Sequence, residues 1–162
     1  LVDRYSWMPS KPPSRPTPDC LTPPNGAAAF ESRLTLGPDT CWVARDGDDL
    51  LGYLLAHPWG SMRPPPVDTV LRRDPAEGPA ILFIHDLSIA DAARGTGLGT
   101  KLVERALAAA RARGLTAAEL IAVQGAAGFW RRQGFEPVPA TTALTSKLRS
   151  YGSDARYLRR PL

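Results

Sequence analysis

Cysteine is scarce. Cys20 and Cys41 are the only two in 162 residues, they stand in no metal-like spacing, and the pattern argues against the disulfide framework of small secreted domains. Two free thiols in a reducing cytoplasm, and no bound metal, are expected. Long apolar runs are lacking too: none approaches the roughly 18 residues a membrane span needs, and no basic-then-apolar leader opens the chain. There is no internal repeat. These absences predict a soluble, cytoplasmic protein with no membrane contact. Staples are not required at this length, since a chain of this size buries roughly 68–70% of the surface its unfolded form exposes.

What is present is ordinary for one globular domain, 43% apolar and 22% charged, apart from two features. The first is proline, 17 in all, with seven inside the first 25 positions. Residues 1–25 therefore read as an extended or polyproline-like arm, with Tyr5, Trp7 and Met8 as anchors, ahead of a domain over residues 26–162. The second is charge. The net +4 divides unevenly: residues 1–93 hold 8 Lys/Arg against 12 Asp/Glu, residues 94–162 hold 12 against 4. A basic half raises nucleic acid as a partner, but its arginines and lysines show no interleaved aromatic platform and no recognised binding motif, so no nucleic-acid partner is expected.

Along the chain, Asn25 reads as the cap of a helix from Ala27 to Leu36 that Gly37 ends. A hairpin follows, Cys41 to Arg45 and Leu50 to Ala56 about a turn at residues 46–49. His57 to Pro79 reads as a long loop containing Pro64-Pro65-Pro66. Ile81 to Ile89 is nearly continuous in apolar residues, as a central strand buried on both faces would be. Leu98, Leu102, Ala106, Leu107 and Ala110 then fall at helical spacing until Gly114. Thr116 to Val123 reads as a strand, Ala126 to Gln133 as a short helix, Phe135 onward as a strand punctuated by Pro137 and Pro139, and Ala155 to Pro161 as the last strand. The order predicts a mixed α/β domain.

The richest motif is Arg94-Gly95-Thr96-Gly97-Leu98-Gly99-Thr100-Lys101, between the buried strand and a helix N-terminus. Glycines permit close backbone approach, and the free N–H groups of a first helical turn attract an anion. It is not a P-loop, because Leu102 follows Lys101 where Ser or Thr is needed, and the G-x-G-x-x-G spacing fails from either starting glycine. A glycine turn that merely connects two elements remains the plain alternative.

The spacing R-x-x-G-x-G at Arg94, Gly97 and Gly99 resembles the acetyl-coenzyme A pyrophosphate loop of the GNAT superfamily of N-acetyltransferases. Phe129-Trp130-Arg131-Arg132-Gln133-Gly134-Phe135 resembles the F-Y-x-x-x-G-F segment that closes the same site. The resemblance covers about residues 27–162. It implies a mixed, mostly antiparallel central sheet flanked by helices, with a splayed central strand that binds acetyl-CoA as co-substrate. By position it implies cofactor contacts at Leu87, Ile89, Arg94, Gly95, Thr96, Gly97, Leu98, Gly99, Thr100, Gln124 and Trp130. The Ile89 N–H would polarise the thioester carbonyl, as oxyanion-stabilising donors do. The chain departs from the family where Trp130 replaces the usual Tyr, since an indole is no acid, and where Val123 stands for the usual Asn, with Gln124 as a neighbouring substitute.

Acetylation of an amine needs a base, because an amine with pKa about 10.4 is mostly protonated at neutral pH. Asp86 is a candidate base or a structurally bonded carboxylate. His85, expected to face the opposite side by strand alternation, is a core imidazole or a catalytic one. His57 and Glu31 are weaker candidates. Tyr151 is a replacement acid or an aromatic that packs its loop, and Trp59 a lid or a loop anchor. Arg131 and Arg132 meet either the cofactor's phosphates or only water. The +8 half suits a polyanionic cofactor and the −4 half a cationic acceptor. The expectation is transfer of acetyl from acetyl-CoA to a primary amine of a small molecule or peptide, with a non-catalytic acyl-CoA-binding module as the alternative and a homodimer left open.

Overall fold

The apolar strands of this chain have to be covered on both faces, and helices from before and after them supply the cover. The computed structural model describes residues 2–4, 26–72, 80–123 and 125–162. Within them the order is β1 (Val2–Arg4), α1 (Ala27–Leu36), β2 (Trp42–Asp46), β3 (Asp49–Gly60), β4 (Ala80–Ile89), α2 (Leu98–Ala112), β5 (Ala117–Ala122), α3 (Ala127–Arg132), β6 (Glu136–Pro137), α4 (Thr142–Arg149) and β7 (Arg156–Pro161). The sheet order is β1-β2-β3-β4-β5-β7-β6, and every pairing is antiparallel except β4 with β5. The expected mixed, mostly antiparallel sheet flanked by helices is present.

On one face lies α2, whose stripe Leu102, Val103, Ala106, Leu107 and Ala110 is buried against Leu54, Ala56, Leu82, Ile84 and Leu120. Each leucine buried in this way contributes about 1.5–3 kcal/mol, which fixes the helix to the sheet. The helix stops in a Schellman arrangement, the Gly114 N–H donating to the Arg111 carbonyl and the Leu115 N–H to that of Ala110. The other face carries α1, with Phe30 on Tyr53 and Leu55, and α4, with Leu144 beside Ile81, Phe83 and Tyr157.

Val2–Arg4, read as part of an arm ahead of the domain, instead pairs with β2 as the edge strand of the same sheet, and three elements within residues 26–162 differ from the expectation. β3 runs on to Gly60, four residues into the expected loop. Pro58 is tolerated because β3 beyond Leu54 pairs with β4 alone, and such an edge segment accommodates a proline. The second is α4, which sequence reading misses and places in strand and loop. Its cap is Thr141, whose hydroxyl accepts from the Leu144 N–H at 3.2 Å. The strand after Phe135 shrinks accordingly to two residues. At the other end, α1 begins after Gly26, and the proposed cap Asn25, the anchors Tyr5, Trp7 and Met8, and Cys20 lie outside the described residues. Among the described residues, no helix is long and apolar enough to cross a membrane, and no group of His, Cys, Asp and Glu is placed to hold a metal ion.

Candidate active site

β4 and β5 begin as neighbours and then part. They are in register only at Leu82–Ile84 with Ala118–Leu120. Beyond that point β4 continues against β3 to Ile89, while β5 continues against β7 to Ala122. The Ala90 N–H donates back to the Leu51 carbonyl of β3 at 2.9 Å. Because successive N–H groups of a strand point to opposite edges, those of Ile89 and Leu87 point away from β3, into the gap. The gap opens into a cavity of about 750 Å³. Leu87, Ile89, Arg94, Gly95, Gly97, Leu98, Gly99, Thr100 and Trp130 all line it, so most of the cofactor residues expected from the sequence meet in one place. Thr96 does not line it; its hydroxyl turns back to the Ala93 carbonyl at 2.7 Å. Gln124 lies outside the described residues.

The glycine loop faces this cavity with its backbone bare. Gly95 and Gly97 take φ of 77° and 82°, where other residues are strained, and a Cβ on either would meet nothing within 4 Å. Gly97 caps α2 without a side-chain bond. The first-turn N–H groups of Leu98, Gly99 and Thr100 therefore carry the positive end of a 15-residue helix toward open space. Gln133 Nε2 donates to Thr100 Oγ1 at 3.0 Å, which ties α3 to this turn. The cradle fits a pyrophosphate: open, cationic in character, and rich in donors.

A β-bulge reorients the polar residues of β4. Leu55 pairs with Asp86 and Ala56 with Ile84, so β4 has one extra residue, His85, across that step. The bulge overturns the expectation that His85 and Asp86 face opposite sides. Asp86 Oδ2 accepts from the hydroxyl of Tyr53, a residue of the α1 face, at 2.6 Å. The His85 ring stands 6.3 Å from those of His57 and Phe83 on the same face. Leu87 and Ile89 consequently keep the phase of Ile84 and pack with the α2 core. The two polar side chains look together into the cavity, and Asp86 is its only carboxylate among the described lining residues.

Their ionisation is set mainly by burial. The Asp86 carboxyl is held above its usual range by burial, opposed by the Tyr53 hydroxyl and the Leu87 N–H. His85 is pushed down to about 3 by burial and then by Arg33, His57 and Lys147, and His57 to about 4 by burial. Both imidazoles are neutral at pH 7, and a base this weak is a poor proton acceptor.

The remaining candidates fall elsewhere. Tyr151 is not on the cavity wall; it is half-buried near Arg33, and burial holds its phenol above the usual value. Trp59 anchors its loop, donating to the Arg63 carbonyl at 2.7 Å. Trp130 is packed edge-on against Phe129 and Phe135. Cys41 is a buried thiol raised to about 12 by burial. Sequence reading misses Tyr53; Phe129 and Gln133, quoted only as part of the segment that closes the site, themselves line the cavity. Tyr53 shares a face with Leu55 by alternation, a usable sign, but which β4 residue it meets depends on the bulge.

The sequence profile of the acetyltransferase (GNAT) family matches residues 5–135. The chain belongs to the GNAT acetyltransferase family. Among solved structures, this GNAT fold is similar to Chaetomium thermophilum Naa20 in complex with a bisubstrate analogue, at 21% identity, with 89% of this chain and 77% of that one covered and a TM-score of 0.67. It is also similar to Arabidopsis thaliana Naa50 in complex with the bisubstrate analogue CoA-Ac-MVNAL, at 16% identity over 88% and 85% with a TM-score of 0.63. Nourseothricin acetyltransferase shares 26% identity over 75% of this chain and 64% of its own, at a TM-score of 0.53. No curated protein sequence matches the chain.

Proposed function

We propose that this GNAT chain transfers the acetyl group of acetyl-CoA to a primary amine, of a small molecule or a peptide, by direct attack. The observation that carries the reading is the parting of β4 from β5 beside the glycine loop, with the Leu87 and Ile89 N–H groups facing the gap and Asp86 at its edge. Acetyl-CoA supplies an acyl group activated as a thioester. The Arg94–Thr100 backbone holds its pyrophosphate and the Leu87–Ile89 edge its pantetheine arm. The Ile89 N–H donates to the thioester oxygen as charge gathers there, a contribution that grows in a dry site. Asp86, held in place by Tyr53, takes one proton from the bound ammonium directly or through one water, and the neutral amine then attacks the thioester carbon. The N–C bond forms, the C–S bond breaks, and the second proton of the nitrogen passes through solvent to the departing thiolate; Tyr151, off the cavity wall, takes no part in that transfer. Trp130 closes the cofactor side by packing rather than by proton transfer. The fold of the bisubstrate complexes supports an amine acceptor of this kind. The free thiol of Cys41 and the absence of a membrane-crossing helix among the described residues support a cytoplasmic location.

Calorimetric titration with acetyl-CoA, paired with a thiol-release assay over a panel of amines, tests this. Binding together with turnover on one class of amine is expected. Binding without turnover on any amine would overturn the enzymatic reading and leave an acyl-CoA-binding module.

A further inference from the structure

The sheet face that carries α1 and α4 holds two cations with no ion pair among the described residues. Arg33 comes from α1, one turn beyond Phe30, and Lys147 from α4, one turn beyond Leu144. Both are fastened to one short stretch of chain: Arg33 Nη2 donates to the Pro66 carbonyl at 2.7 Å and Lys147 Nζ to the Pro64 carbonyl at 2.6 Å. Equivalent atoms two residues apart are at most about 7 Å from each other, so the two charges are neighbours. Asp68, whose charge reaches Arg33, is exposed and accepts from the Gly26 N–H at 2.6 Å. Arg33 is fully buried and spends its guanidinium on the carbonyls of Ala29, Pro66 and Thr69. Lys147 is only partly buried, and among the described residues the Pro64 carbonyl is the one partner for its three protons. Tyr151 continues the last turn of the same helix, its N–H donating to the Leu148 carbonyl at 2.9 Å. Its hydroxyl has no partner among the described residues, and burial keeps the phenol protonated at neutral pH. A free ammonium and a free phenol one turn apart are donors suited to a carboxylate.

We infer that the acceptor carries an anionic group as well as its amine, and that Lys147 with Tyr151 binds this group while Asp86 receives the amine. The inference rests on the acetyl-transfer reading given above. Asp86 lines the coenzyme cavity, whereas Lys147, Tyr151 and Arg33 lie off its wall. His85 belongs to both sides, lining the cavity beside Asp86 and lying within reach of both cations. An acceptor that spans the two sides has its nitrogen toward the thioester and its negative end away from it, each charge meeting its opposite. An anionic group close to Asp86 is repelled, so the distance between the two ends matters. A diamine brings a second positive charge toward two that are already unpaired. Arg33, buried behind the Pro64–Thr69 stretch, adds to the field without touching the group.

Thiol release by the full chain at saturating acetyl-CoA decides the matter, with ω-amino acids, alkylamines and α,ω-diamines matched in chain length, and with short peptides carrying Asp or Ala beside the terminal amine. The ω-amino acid or the Asp peptide is expected to exceed its uncharged counterpart about tenfold in kcat/KM, with the gain in KM, as one charge-assisted contact supports. The series with the larger preference identifies the source of the anion. Lys147→Ala should bring the ratio toward one, Lys147→Arg should restore part of it, and Lys147→Glu should reverse it in favour of the diamine. Calorimetric binding of acetyl-CoA by each variant reports that it is folded. Equal rates of the wild type on matched amines, or a preference for the diamine, would overturn the inference, and so would a Lys147→Ala chain that slows charged and uncharged amines by the same factor. Turnover of no amine at all would overturn acetyl transfer as well, an outcome distinct from turnover without discrimination.

Discussion

Removing one oxygen, by Tyr53→Phe, tests the base more sharply than replacing Asp86 itself. Tyr53 is buried on the α1 face, and its hydroxyl donates to Asp86 Oδ2 at 2.6 Å. Burial raises the Asp86 pKa, and the Tyr53 bond is the first of the contacts that oppose it. The variant keeps the burial and loses that opposition, so the carboxyl moves further up. A protonated Asp86 accepts no proton, so activity is lost as pH falls through its pKa, and the acidic limb of the profile must shift toward higher pH. A hydrogen bond to a charged group contributes about 1.5–3 kcal/mol, so kcat/KM on that limb should fall by about tenfold to a hundredfold. At high pH, where Asp86 is ionised in both proteins, the two profiles should converge. The assay is thiol release against pH at saturating acetyl-CoA with the best amine of the panel. A Tyr53→Phe profile that superimposes on the wild type would refute the reasoning, because the limb would then belong to another group.

Three further outcomes follow from the same geometry. Gly97→Glu places a carboxylate at φ 82° over the open side of the cradle, so acetyl-CoA binding should be lost from a folded chain; unchanged affinity by calorimetry would remove the loop from the site. Asp86→Asn should lower turnover and flatten its rise with pH. Because the native state holds the Asp86 proton more tightly than the unfolded chain does, wild-type stability falls as pH rises through that window. The melting-temperature difference, variant minus wild type, should therefore become more positive between pH 4 and pH 8, and a constant difference would contradict the burial argument. His57 and His85 carry the opposite sign: their native pKa values of about 4 and about 3 lie below 6.5, so the stability they carry is full above pH 6.5 and is lost as pH falls toward those values. Between pH 6.5 and 5 the loss is about 2 kcal/mol for each imidazole, and a urea midpoint independent of pH over that range would exclude it.

What the sequence made legible was local. α2 could be read because Leu102, Ala106, Leu107 and Ala110 repeat at 3.6 residues, and the loop because its glycines and helix start lie within eight positions. The facing of His85 and Asp86 could not be read, because a bulge is a property of two paired strands and β3 lies more than twenty residues away in sequence. The link from Tyr53 to Asp86 was hidden for the same reason. α4 escaped because it buries little: Leu144 is its one fully buried residue, and flanking prolines outweighed the cap signal of Thr141. Pro58 likewise argued for a loop until the edge it occupies was known.

The division of charge, −4 before residue 94 and +8 after it, translates into a local field in only one of the two halves. In the basic half it does, since Arg111, Arg132 and Arg160 gather beside the cofactor cavity. In the acidic half it does not. Asp46, Asp48 and Asp49 are spent on the exposed β2–β3 turn, whereas Arg33, from the same half, is buried on α1 and donates to the carbonyls of Ala29, Pro66 and Thr69. Lys147 joins it from α4, donating to the Pro64 carbonyl at 2.6 Å. These two cations are among the charges that depress His85, so the surroundings of the bulge are positive although the segment that builds most of them is negative. On the proposed mechanism an amine entering there would meet, among the described lining residues, one carboxylate, Asp86, rather than an acidic surface. On the proposed mechanism, selection of the acceptor's reacting nitrogen falls to Asp86 and its Tyr53 partner, because screening makes segment charge irrelevant beyond about 8–10 Å while the contacts at the bulge act within 3 Å.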